Sequence, residues 1–279
     1  MSAYRFVGPF VMASFAFLLV LGSAASASAH DFWMEADGVS PAEPGSGLDI
    51  RLWVGDSFKK REESPYSTKR ALAFQHVSRV GKENLLPRAT HGKTPVVSLS
   101  DLAVGGHLVA MTRNTTHITM PGWKFTTYLM SEKFETVAAA RKAAGTRWSE
   151  GRERYTRYLK TLVQVGAAAV GAGDEVYGTV LGQRYELIPL NDPMSVEPGE
   201  ALVLRLLFEG KPLEGLRVLA RSPEHGEVEA RTDANGVVRL VLPERGRWLL
   251  RSVHMRACTG CSKADWESFW ASYYFAQPN

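Results

Sequence analysis

The residues of this chain that could bind a metal ion or exchange electrons are a few histidines and one close pair of cysteines, and His30 is the most pointed of them. It stands in Ala27-Ser28-Ala29-His30-Asp31-Phe32-Trp33. A single cation, Arg5, and an apolar run from Phe10 to Leu21 precede it, so Ala27-Ser28-Ala29 reads as an A-x-A signal-peptidase site and residues 1–29 as a signal peptide. Cleavage after Ala29 makes His30 the first residue of the mature protein. A terminal histidine is a chelate, because its free α-amine and ring Nδ1 close on one ion. With a reference pKa of about 7.7–8.0, the α-amine yields its proton to a metal near neutral pH far more readily than a lysine does. The competing expectation is a frayed, solvated terminus, the common state of a chain end.

A metal held by His30 needs further donors. His107 lies in the strand-like run Gly106 to Thr112, shares a face with Val109 and Met111, and follows a Gly-Gly pair that allows close approach of another backbone. His117 comes ten residues later, and a hairpin through Arg113-Asn114 would make the two neighbours. Together with His30 they offer three imidazoles and an amine, a set that suits copper or nickel. The plain alternative for each is a core or edge histidine bonded to backbone. His91 and His225 sit in turn-like sequence and are expected to be solvated. His76 can face either way, and His254 is expected to end a strand and cap a sandwich.

Cys258 and Cys261 form a Cys-Thr-Gly-Cys motif, and they are the two cysteines of the chain. In an oxidising compartment such a pair closes a local disulfide, with Gly260 easing the turn. A thioredoxin-like redox motif would follow an early strand and open a helix, whereas this one follows the last long strand-like runs. A metal site with His254 would have an incomplete ligand set.

The elements that must position these residues are mostly strands. Runs 48–54, 71–77, 96–99 and 106–112 have the length and alternation of half-buried strands, separated by Gly, Pro and Asn. Between 128 and 165 the spacing changes. Tyr128, Leu129, Phe134, Val137, Ala138 and Arg141 repeat with helical period, and Tyr155, Tyr158, Leu159, Leu162 and Val163 follow at i, i+3, i+4, i+7 and i+8, which predicts two helices. Arg141, Lys142, Arg147, Arg152, Arg154, Arg157 and Lys160 are expected to form a solvated cationic face. Strand patterns return at 201–208, 216–221, 237–242 and 246–253, with a tight turn at Thr232-Asp233-Ala234-Asn235-Gly236, and Tyr273 and Phe275 read as part of a final strand. The aromatic residues from Trp266 to Phe275 are expected to pack the core. The reading is mainly β: two β-sandwich domains of immunoglobulin or prealbumin type, 30–177 with a helical insertion near 128–165, and 178–279.

Composition agrees with a globular protein, at 45% hydrophobic and 22% charged residues. The net charge is +4, of which Arg5 in the leader supplies one, and the remaining +3 is too small and scattered to argue for nucleic acid. After the leader no apolar run reaches the roughly 18 residues of a membrane helix, so the mature protein is not expected to be membrane-embedded. There is no G-x-S-x-G, no H-E-x-x-H and no P-loop.

The second half resembles prealbumin-like and carboxypeptidase-regulatory-like modules, through Gly210-Lys211-Pro212-Leu213-Glu214-Gly215 and the Thr232 to Gly236 turn. Nearly the whole chain after the leader resembles an exported bacterial family of unknown function, grouped with the periplasmic components of nickel/cobalt transport systems (NikK-like). The matching features are His30-Asp31-Phe32-Trp33 directly after the leader, the segment Glu153 to Gly166, and the stretch Asp265 to Ala271. The resemblance implies a periplasmic, non-enzymatic protein that binds nickel or cobalt and delivers it to a membrane metal-uptake transporter. Two other classes remain open. One is a histidine-brace copper protein or oxidase, distinguished by redox reactivity. The other is a non-catalytic scaffold or adhesion module, whose binding would not depend on His30.

Overall fold

A computed structural model describes residues 31–37, 42–166 and 175–278. His30, and with it the expected chelate, lies outside the described residues. In chain order the first part contains β1 (Asp31–Ala36), β2 (Leu48–Asp56), β3 (Lys60–Ser64), β4 (Ala71–Ser78), β5 (Gly81–Asn84), β6 (Val97–Leu99), β7 (Gly105–Arg113), β8 (Thr116–Met120), α1 (Gly122–Ser131), α2 (Glu135–Ala143) and β9 (Gly151–Val165). After a short 3-10 turn, Glu175–Gly178, come β10 (Tyr185–Pro189), β11 (Ala201–Phe208), β12 (Lys211–Pro212), β13 (Arg217–Ser222), β14 (Gly226–Arg231), β15 (Val237–Val241), β16 (Arg247–Ala257) and β17 (Trp266–Ala276).

The strands build three layers. A nine-stranded sheet, ordered β14-β13-β16-β17-β9-β7-β4-β5 with β8 also on β9, forms the middle. Because side chains alternate across a strand, β9 feeds both of its faces. Leu159, Val163 and Val165 join the core beneath the sheet of β1, β2, β3 and β6, while Tyr158 and Leu162 join the core beneath β10, β11, β12 and β15. The helices α1 and α2 cover the first face further along, where Phe125, Tyr128, Leu129 and Val137 pack on Val253, Met255 and Trp270. The fold is therefore mainly β, with sandwich-like packing and a helical insertion. The middle sheet runs unbroken across residue 178, since β17 pairs in parallel with β9, from Trp266 opposite Glu153 to Tyr274 opposite Thr161.

Three expectations change. The run from Tyr155 to Val163 is not a helix: it belongs to β9, a 15-residue strand. Its residues from Tyr158 to Val163 are buried on both faces, so apolar residues need not alternate there, and their spacing imitates a helical repeat. The helical run expected from Tyr128 to Arg141 is divided between α1 and α2, and Gly122, the first residue of α1, packs its bare Cα on the Trp148 backbone. The expected solvated cationic face is divided: Lys142 and Arg147 are exposed, and the others are engaged by partners or buried. Lys160 is 1% exposed and bonds Glu186 at 2.7 Å, Arg141 is buried, and Arg152 and Arg154 pair with Asp265 and Glu267. Thirdly, β7 and β8 do not form a hairpin with each other. Both lie along the same edge of β9.

That last correction separates two of the candidate ligands. His107 stands opposite Val163 and His117 opposite Arg154. Those partners are nine positions apart on one strand, a distance of roughly 30 Å at about 3.3 Å per residue. Nine is odd, so the two histidines leave the sheet on opposite faces.

Candidate site at the head of the first strand

Asp31 opens β1 and is 3% exposed. Arg221 donates to its Oδ2 at 2.7 Å, and Arg251 Nε stands 3.0 Å from its Oδ1 as an ion pair without the alignment of a hydrogen bond. Arg251, itself buried, also donates to both oxygens of Glu132 at 3.0 and 2.9 Å, tying the end of α1 to this point. The next residues secure the strand. Trp33 is fully buried against Phe58, with ring centroids 5.0 Å apart, and Met34 enters the opposite core. Register with β2 runs from Asp31 opposite Gly55 to Ala36 opposite Ile50. The start of β1 is thus held by two arginines and a tryptophan.

Phe32 faces a different group. The Arg113 guanidinium lies 4.1 Å from its ring centre and that of Arg157 5.2 Å. The last registered pair of β7 and β9 is Thr112 opposite Tyr158, which leaves Arg113 and Arg157 as the next neighbours, on the face turned toward Phe32. Arg157 also lies over Tyr155 and Trp270. Burial lowers the pKa of Arg157, and burial together with Arg157 and Arg70 brings that of Arg113 down to about 10.

Beside them, Glu153 is 2% exposed and accepts hydrogen bonds from Tyr128 at 3.2 Å and from Ser268. Burial pushes its pKa up to about 7 against the pull of those two donors. Tyr128 stacks on Trp270, whose indole donates to Ser268 at 2.8 Å.

His107 is drawn elsewhere. It is 3% exposed, its Nδ1 lies 2.8 Å from His76 Nε2, and its Nε2 lies 2.7 Å from the Ala103 carbonyl. A carbonyl only accepts, so His107 carries a proton on Nε2; with both rings neutral its Nδ1 then accepts from His76, and His76 Nδ1 is left without a proton. That nitrogen is 3.9 Å from Glu83, on a cavity of about 340 Å³ that Arg88 and Asp101 also line. His117 is exposed on β8, and His254 packs among Tyr185, Phe208 and Phe269 in β16. Cys258 and Cys261 form the expected disulfide. Among the described residues, no three His, Cys, Asp or Glu side chains converge on a site for a metal ion.

The arginines around Phe32 and the buried Glu153 escape a reading of the sequence that treats 155–163 as helical. A period-two reading of 153–157 would have placed Glu153, Tyr155 and Arg157 on one face.

A three-layered, mainly β protein with a fixed, arginine-lined first strand is what the geometry defines. The sequence from 27 to 256 matches a domain of unknown function, DUF4198, and the chain belongs to that family. Among curated proteins none matches. Two solved structures show a faint overall likeness. Dimeric latent PorU from Porphyromonas gingivalis is 9% identical with a TM-score of 0.20, over 93% of this chain and 21% of that one. The fibronectin(III)-like modules of Clostridium thermocellum CbhA are 9% identical with a TM-score of 0.19, over 88% of this chain and 94% of that one. Neither likeness is close enough to carry an argument, and the chain spans about a fifth of the first. No described helix is long and apolar enough to cross a membrane.

Proposed function

We propose that the protein is a periplasmic carrier that binds nickel or cobalt through the amine and ring of a mature N-terminal His30 and passes the ion to a membrane uptake transporter. The observation that supports this reading is the burial of Asp31 between Arg221 and Arg251. Cleavage after Ala29 leaves one residue ahead of that anchor, so the main objection to a terminal chelate, a frayed chain end, loses force. A two-point chelate fixed to a rigid strand costs less ordering entropy on binding than one on a mobile tail.

His107 and His117 do not strengthen the ligand set, the first being engaged by His76 and Ala103 and the second lying on the other face. The reading therefore rests on His30 alone, with water or small co-ligands filling the other positions of a nickel or cobalt ion.

The test is intact-mass spectrometry of protein purified from the periplasm, before and after limiting nickel or cobalt, alongside a variant with one alanine inserted before His30. A mass beginning at His30, with one equivalent of metal bound by the native form and lost in the variant, is the expected result. A different mature terminus, or binding indifferent to the added alanine, overturns the reading.

A further inference from the structure

The arginines that meet Phe32 present an electrostatic problem that the metal reading does not address. Arg113 is half-buried and sits beside two other cations, Arg157 and Arg70, whose fields oppose its charge. The group that offsets them is the phenol of Tyr155. Among the described residues no carboxylate reaches ion-pair distance of Arg113. Its neighbours are treated differently: Arg221 and Arg251 share Asp31, and Arg251 also holds Glu132. A desolvated guanidinium without a counter-charge destabilises a fold, and burial alone does not account for keeping one.

Arg113 is nevertheless well placed to bind something. Its planar fork is oriented by stacking on Phe32 at 4.1 Å, so little side-chain entropy remains to be lost on binding. Arg70 is exposed at the rim, where it donates to the Thr116 hydroxyl and adds a further positive charge.

We propose that Arg113, oriented on Phe32 and backed by Arg157 and Arg70, is the primary contact of a binding site for a small oxyanion, a carboxylate or a phosphate. The flat fork with five donors accepts either group in a bidentate manner, and the surrounding cations supply the long-range attraction. The anion provides the counter-charge that Arg113 lacks among the described residues, and no metal ion is required.

The experiment is isothermal titration of metal-free mature protein with citrate, malonate and inorganic phosphate at low ionic strength, repeated with Arg113→Gln and Arg113→Met, each also melted thermally. Saturable one-to-one binding of a carboxylate or of phosphate by the native protein is expected. The anion that binds tighter assigns the source. Either substitution should weaken binding roughly ten- to a hundredfold, the loss expected for a charge-assisted hydrogen bond. Arg113→Met should at the same time melt no lower than the native protein, because it removes an uncompensated charge. No saturable binding of any of the three anions, or binding unchanged by both substitutions, overturns the proposal. Anion binding together with a failed alanine-insertion test for metal, or loss of anion binding together with a passed one, shows which of the two sites fails.

Discussion

His76 and His107 stand side by side on β4 and β7, and the hydrogen bond between them, 2.8 Å long, runs from His76 Nε2 to His107 Nδ1 and onward from His107 Nε2 to the Ala103 carbonyl. With both rings neutral, that chain of bonds admits one pair of tautomers, each protonated on Nε2. Burial, and then the neighbouring His107, brings the pKa of His76 down to about 4.

That depression makes stability depend on pH in a definite direction. Between an unfolded value near 6.5 and the folded value of about 4, the unfolded chain takes up a proton on His76 and the folded protein does not. Stability is complete above the unfolded value, falls as pH drops through the window by up to about 1.4 kcal/mol per pH unit, and loses nothing more from this group below about 4. Urea unfolding at several pH values, compared between the native protein and His76→Gln, isolates the effect from carboxylate titration. Equal slopes for the two proteins would contradict the assignment.

Lys160 and Glu186 form a pair that is 1% exposed on each side, with Lys160 also donating to the Leu187 carbonyl and Glu186 accepting from the backbone of Leu181 and Gly182. Replacing one partner leaves a bare charge in the interior. Lys160→Met is expected to cost about 3–5 kcal/mol in unfolding free energy. Lys160→Met with Glu186→Gln should regain part of that loss, because no charge remains uncompensated, and chemical denaturation of both variants measures the difference.

Asp31→Asn keeps the size of the side chain and removes the charge that Arg221 and Arg251 share. Loss of about 3 kcal/mol is expected, since Arg251 is 4% exposed and among the described residues retains one carboxylate partner, Glu132. Hydrogen exchange should show the loosening concentrated in β1 and the end of α1. A uniform change across the protein would argue against Asp31 as a local anchor.

Gly122→Ala places a Cβ onto the carbonyl of Trp148, where the neighbour is backbone and cannot rotate away. The substitution should lower stability by about 1–3 kcal/mol, with loss of helical circular dichroism preceding loss of the β signal. Gly145, at a φ of +68° with nothing within 4 Å of the added Cβ, provides the contrast. There an alanine meets only the backbone penalty of a left-handed residue.

Much of the fold could be read from local pattern. The runs 48–54, 71–77, 106–112, 201–208 and 237–242 announced strands because one face of each is apolar and the flanking residues are turn formers, and they lie within β2, β4, β7, β11 and β15 apart from Leu242. The pattern failed at β9 because a strand covered on both sides has no polar face to reveal its period. It also passed over β1, whose residues Trp33, Met34 and Glu35 are all buried. The site suffered from the same cause. His107 was recognisable as facing the core, but its partner depends on the register of β4 against β7, with His76 opposite Val109, and nothing within either strand specifies that. The arginines around Phe32 come from β7 and β9, and a helical period over 155–163 does not bring Arg157 beside Arg113.

The parallel union of β17 with β9 bears on how the chain comes to be folded. A polypeptide emerging from its amino end, from a ribosome or a translocation pore, presents β9 long before residues 266–276 exist to cover its free edge. Until they arrive the middle sheet cannot close, and the cores on both sides of it stay incomplete. Contacts between residues more than a hundred positions apart are slow to form. Such a topology postpones closure of the middle sheet until synthesis is almost finished.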